Sequence, residues 1–229
     1  MQESRPGGGI YQSNRGLSLA IIILLSFHAA LSVVLAFSWP SVGRLLDGEV
    51  DGLGGAISAI AIGFAAIIQG CIFIATAVCF LVWLHHAFRN LPALGSDSLI
   101  FTPGKAVIGW FIPFVNLING YKSVHTLYLE SQPRATVLPS GYALPRTAPI
   151  VGLWWGFYLA RGVVSRIADS ISKHGSSDAT TWLVFSELLD IVAAVLCIAI
   201  VYRIEKRQHD QHDDLVRRIP APVPTDRLR

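Results

Sequence analysis

Charge is what this sequence has least of. Only 14% of its 229 residues are Asp, Glu, Lys or Arg, against ~25% in an ordinary soluble domain. No polar stretch is long enough to bury a core of its own, so no second soluble domain is expected. With 52% hydrophobic residues gathered in long runs, the chain reads as an integral membrane protein. Cysteine is scarce and odd in number. Cys71, Cys79 and Cys197 all lie inside apolar runs, without metal-ligand spacing, and read as small hydrophobes.

The signatures of catalysis are missing as well. Gly7-Gly8-Gly9 precedes no Lys-Ser/Thr, so it is not a phosphate loop. There is no Gly-x-Ser-x-Gly elbow and no His-Glu-x-x-His helix. The expectation is a protein that is not an enzyme and carries no cofactor. The net charge of +3 is small, and the basic residues lie beside apolar runs rather than in a groove with stacking aromatics. That pattern suits membrane orientation and argues against a nucleic-acid partner.

What the sequence does contain is four apolar runs, at about 17–38, 56–84, 150–171 and 182–202. Each is long enough to cross a bilayer at 1.5 Å per residue. The first is longer than the ~7–15 residues of a signal-peptide core, which favours a retained span anchored by Trp39. Small residues recur on one stripe of the second run (Ala59, Gly63, Ala66, Gly70, Ala77) and of the third (Gly152, Gly156, Ala160), a pattern that lets membrane helices approach closely. Residues 1–16 read as a flexible lead. Residues 204–229 read as a charged tail that starts as a helical extension and ends disordered.

Between the second and third runs lies the stretch FTPGKAVIGWFIPFVNLINGYKSVHTLYLE, from Phe101 to Glu130. It is apolar, yet punctuated by Pro103, Gly104, Pro113, Asn116, Asn119 and Gly120. The expectation is a helical hairpin over about 103–130. Its helices are separated by a break near Pro113 to Asn116, and Asn116 caps the carbonyls freed there. Trp110 to Val115 offers no polar face to water, which favours a hairpin that dips into the membrane and returns over one that lies on the surface. A re-entrant hairpin also leaves Arg89, Lys105, Lys122 and the basic tail on one side with both termini, as expected for the cytoplasmic face. Arg89, Lys105, Lys122 and Trp110 are candidate contacts for anionic headgroups or an acidic partner.

Ionisable residues inside the runs point most strongly to function. Arg161 and Arg166 lie in the third run, Glu187 and Asp190 in the fourth. Counting depth inward along two antiparallel helices brings Arg161 level with Asp190, and Arg166 level with Glu187. Two interhelical ion pairs are expected, acting as a lock or lining a polar path. His28, His85, His86 and His125 raise the weaker alternative of a haem between helices, but His28 and His85 lie at different depths. His209, Asp210, His212, Asp213 and Asp214 read as solvated tail residues rather than a metal site.

Trp83, Asn90, Thr102-Pro103-Gly104, Ala106-Val107, Gly109-Trp110-Phe111-Ile112-Pro113 and Asn116-Leu117 resemble the signature of a bacterial membrane-protein family catalogued only as a domain of unknown function. The resemblance runs from about Leu53 to Tyr202. It implies a small helical membrane protein and supplies no activity or partner. His86, Gly120 and Lys105 depart from that family's pattern, which argues against a shared ligand site at these positions.

The reading is thus an all-α, polytopic bundle with four transmembrane helices and a re-entrant or interfacial hairpin, in the bacterial inner membrane. It would serve as a lipid- or partner-binding or scaffolding module. Its expected partners are membrane lipids, a second copy of itself or another membrane protein. The alternative is a small transporter or channel that uses the Arg/Glu/Asp cluster.

Overall fold

A computed structural model describes residues 10–46, 53–96, 100–133, 146–173 and 178–218, and among these the chain is helical with no strands. Six helices follow in order: α1 (Arg15–Leu46), α2 (Leu53–Asn90), α3 (Pro103–Ile108), α4 (Pro113–Glu130), α5 (Pro149–Lys173) and α6 (Asp178–Arg218). Three of them, α1, α2 and α6, are long and apolar enough to cross a membrane. The fourth expected span coincides with α5, a 25-residue helix whose two arginines lower its mean hydropathy, and it is not among the three.

α6 is the spine of the bundle, flanked by α1 and α5. It lies antiparallel to α1 along most of its length. At one end Ser18 Oγ donates to Glu205 at 3.2 Å. At the other, a Cβ on Gly43 would fall 2.8 Å from Thr180 Oγ1, so any larger residue there would have to displace that hydroxyl. α2 returns beside α1, and its outer half is exposed around most of its circumference. Ile60, Phe64, Ile67 and Ile74 there, with Leu19, Ile23 and Phe27 of α1, present bare apolar surface, as expected of helices solvated by lipid tails. Gly63 and Gly70 of α2 and Gly152 and Gly156 of α5 have nothing within 4 Å of a would-be Cβ. Among the described residues, the glycines of the two small-residue stripes therefore support no close helix approach.

The dense core sits toward the end shared by α4 and the tail. Trp83, Leu84 and Phe88 of α2, Val124 and Leu127 of α4, Val151 of α5 and Ile200 and Ile204 of α6 are all buried there. The end of the lead, expected to be flexible, is held, and the tail starts as the expected helical extension. Asn90 exchanges hydrogen bonds with the Gln12 backbone at 3.0 and 2.7 Å, and Tyr11 stacks on His212 at 4.2 Å. Burial, with Glu205 and Asp213 nearby, pushes the Tyr11 phenol up to about 12. α6 continues to Arg218 because Gln208, 1% exposed, donates to the Ala87 carbonyl and to Ser131 Oγ, each at 3.1 Å, and Arg207 lies 4.5 Å over the Tyr128 ring. The lead is thus packed from Tyr11 onward and the tail is packed well past residue 204. Residues 1–9 and 219–229 lie outside the described residues.

The hairpin differs from expectation in where it breaks. Thr102 caps α3, its side chain accepting from Lys105 N at 3.3 Å, with Pro103 as the first helical residue. The chain leaves helix over residues 109–112, and Pro113 opens α4 instead of interrupting a helix. The physical reason is that a proline at the first helical position forfeits a hydrogen bond that no helix would make there, and its fixed φ suits entry. Gly109 allows the turn to close, since a Cβ on it would lie 3.0 Å from Asn119 Cβ. α2 itself ends through a short 3-10 turn, Pro92–Leu94, stopped by Gly95 in the left-handed region at φ 89°.

A polar network and cavity inside the bundle

At ~18–20 Å along α1, α5 and α6 from their first residues, polar side chains from four helices converge. Asp190 of α6 lies at the centre. Its Oδ1 stands 3.2 Å from Arg161 Nε of α5, and its Oδ2 stands 2.5 Å from His28 Nε2 of α1. Ser32 Oγ, one turn further along α1, also donates to Oδ2 at 3.4 Å. Gln69 of α2 then donates to Ser32 at 2.8 Å and to Glu187 at 3.3 Å. The two carboxylates sit three residues apart on α6 and so share a face.

This arrangement answers the cost of burying charge. An isolated carboxylate or guanidinium at this depth is expensive, and such groups are held by pairing and hydrogen bonds. The Arg161 contact is an ion pair rather than an aligned hydrogen bond, because its Nε–H finds no acceptor in good geometry. Its guanidinium also stands 6.0 Å from the centre of the Phe73 ring.

The second expected pair does not form. Arg166 is exposed, and Glu187 accepts from Gln69 instead. Arg166 follows Arg161 by five residues, which turns it well off the α6-facing side of α5. Depth counting is insensitive to that rotation. The sequence reading left His28, Ser32 and Gln69 out of the cluster. Polar groups at similar depth, two in the first apolar run and one in the second, are a signal that would have found them.

Beside the network lies a cavity of about 250 Å³ that reaches from Asp190 to Cys197 along α6. α1 contributes His28, α2 contributes Thr76 and Phe80, α5 contributes Trp154 and Tyr158. The hairpin closes it with Trp110, Phe111 and Asn116. Trp110 is therefore not turned to the headgroups. It packs inward, 5.5 Å from Phe80 and 5.8 Å from Trp155 between ring centres. The break residues do not cap freed carbonyls either: Asn116 Oδ1 is buried without a hydrogen-bond partner, and Asn119 packs on Gly109. Trp110 Nε1 and His28 Nδ1 are likewise buried and unpartnered, a cost of ~1–3 kcal/mol for each such group. The remaining headgroup candidates, Arg89, Lys105 and Lys122, are exposed.

Of the histidines weighed as haem ligands, only His28 lines the cavity, and its Nε2 is engaged by Asp190. His85 and His86 adjoin each other, with ring centres 5.9 Å apart, and His125 lies against Tyr121. In the tail, His209 lies 3.7 Å from Asp213. Among the described residues no three His, Cys, Asp or Glu side chains are grouped to hold a metal ion.

A family model described as Domain of unknown function (DUF4328) matches residues 53–206. That stretch takes in Gln69, Arg161, Glu187, Asp190 and the whole hairpin, but not His28 or Ser32. No curated protein matches the chain, and no solved structure does.

Proposed function

We propose a binding role for this chain, which belongs to the DUF4328 family of domains of unknown function: it is a membrane-embedded module that holds a membrane-soluble amphiphile in the cavity beneath its hairpin. In this reading α5 is a fourth crossing beside α1, α2 and α6, both termini lie in the cytoplasm of a bacterium, and the protein performs no chemistry of its own. The charge distribution supports that orientation. Arg15, Arg89, Lys105, Lys122, Arg203, Lys206 and Arg207 gather at the hairpin end, against Arg44 and Lys173 at the far end. A re-entrant hairpin in this reading is supported by the bare Phe111 of its turn and Phe114, Leu117 and Ile118 of α4, Phe114 at 86% exposure. Such a patch is costly in water and at home in the bilayer.

The observation that carries the reading is the cavity itself. Ligand sites are concave and mostly apolar with a few placed polar groups. Here aromatic walls surround the one face where His28 and Asp190 emerge. Native mass spectrometry in mild detergent tests it. A retained ligand mass is expected on the wild type and not on Ala194→Phe, which fills the cavity from a buried wall position. Equal retention by both proteins would place the ligand elsewhere.

A second reading, a small transporter, is favoured by one feature: Asp190 is paired, at mid-depth, and lines the cavity at once. Intramembrane ionisable groups mark solute and proton paths. Flux into liposomes that is abolished by Ala194→Phe in a folded protein would favour transport over retention.

A further inference from the structure

We infer that the cavity is selective for a lipophilic organic cation, a quaternary or protonated onium group carrying apolar substituents. The inference rests on the reading of the cavity as a ligand site and adds the charge and class of the ligand.

Two independent features of the walls point to it. The first is aromatic. Phe80, Trp110 and Trp154 meet in one cluster, with ring centres 5.5 Å apart for Phe80 and Trp110, 6.1 Å for Phe80 and Trp154, and 6.5 Å for Trp110 and Trp154. All three line the cavity. The negative faces of clustered rings attract a cation, most strongly where water is excluded.

The second is the charge balance at this depth. α6 contributes two carboxylates, Glu187 and Asp190, and α5 one guanidinium, Arg161; α1 contributes only His28. α2 carries no Asp, Glu, Lys or Arg before Arg89, and the hairpin's nearest cations, Lys105 and Lys122, are exposed. The network thus sets two carboxylates against one guanidinium and one imidazole. Asp190 faces the cavity, whereas Arg161 is not in its wall. A positive guest would therefore meet the Asp190 carboxylate in the wall, and a negative guest would meet it with no guanidinium beside it in the lining.

The rest of the wall sets shape. Ala77, Ala193, Ala194 and Cys197 are small and apolar, leaving space for the substituents of the ion rather than for a hydrated shell. Thr76 does not compete as a polar site, since its hydroxyl donates to the Ile72 carbonyl of its own helix at 2.7 Å.

The test uses two ions of closely matched shape and opposite sign, tetraphenylphosphonium and tetraphenylborate. Each is titrated into the full-length protein in mild detergent, with binding read from quenching of tryptophan fluorescence. The cation is expected to bind about tenfold more tightly than the anion, a difference set by charge alone. Ala194→Phe is expected to weaken both ions, and Asp190→Asn to erase the preference. Because Asp190 also ties three helices together, a second variant guards against misfolding: Trp154→Leu removes a ring face but no charge, and it is expected to weaken the cation more than the anion. Equal binding of both ions, or tighter binding of the anion, that is lost in Ala194→Phe would overturn the cation assignment while leaving the cavity as a ligand site. Binding of either ion that is indifferent to Ala194→Phe would remove the cavity reading together with the inference built on it. A Trp154→Leu variant with unchanged cation affinity would also overturn the assignment.

Discussion

The sharpest packing prediction concerns Gly120, in the middle of α4. A methyl group there would lie 2.6 Å from Trp155 Cη2 and 2.7 Å from Asn116 Oδ1. The first distance is about 0.8 Å short of the 3.4 Å at which ordinary contact begins. The indole has little room to yield. It is 7% exposed, stacked on Tyr158 at 5.3 Å and set edge-on to Trp110 at 5.8 Å. Inserting a methyl into such a wall costs ~1–3 kcal/mol. The upper end applies here, because an aromatic carbon and a polar oxygen must move together. Alanine returns ~0.5–1 kcal/mol over glycine in a helix. The net loss is therefore about 2 kcal/mol, or roughly 4–8 °C in melting temperature for a chain of this size. The assay is thermal unfolding in detergent, with Gly152→Ala as the control. Gly152 is exposed on α5 with nothing within 4 Å, so its substitution should not lower the melting point. Trp155→Phe in the Gly120→Ala background removes the clashing ring carbons and should restore part of the loss. If Gly120→Ala melts with the wild type, the docking of α4 on α5 described above is wrong.

Three further outcomes follow from the polar contacts and the topology. Asp190→Asn leaves Arg161 facing an uncharged amide; breaking a buried pair from one side costs ~3–5 kcal/mol. The low end is expected because the Arg161 side chain is 31% exposed, and the double variant Asp190→Asn/Arg161→Gln should be more stable than the single one by thermal melting. Asn90→Ala removes both hydrogen bonds to Gln12 and should cost ~1–3 kcal/mol, seen as faster proteolysis near the N-terminus together with a lower melting point. A reporter inserted after Pro133, between α4 and α5, should read as cytoplasmic, and an external signal there would sink the re-entrant hairpin.

Much of this protein was determined by its sequence alone, because hydropathy and chain punctuation are local properties. Long apolar runs made helices α1, α2 and α6. Thr102-Pro103 fixed the start of α3, through a capping oxygen and a preset φ. Depth was also legible: counting residues along antiparallel α5 and α6 brings Arg161 level with Asp190, and their side chains stand 3.2 Å apart.

What the sequence left open was rotation about each helix axis and the choice among partners at one depth. Each residue turns the helix by 100°, and only packing against neighbours selects which face looks inward. That selection left Arg166 exposed and gave Glu187 to Gln69, and the closure of the turn between α3 and α4 sent Trp110 into the cavity wall rather than to the headgroups. It also brought His28 and Ser32 of α1, 162 and 158 residues from Asp190 in sequence, onto one carboxylate. Pro113 shows the same limit within a single element, since a proline breaks a helix it interrupts and favours one it begins. The cavity belongs wholly to the tertiary structure, because it exists only where five elements meet and none of them encodes it alone.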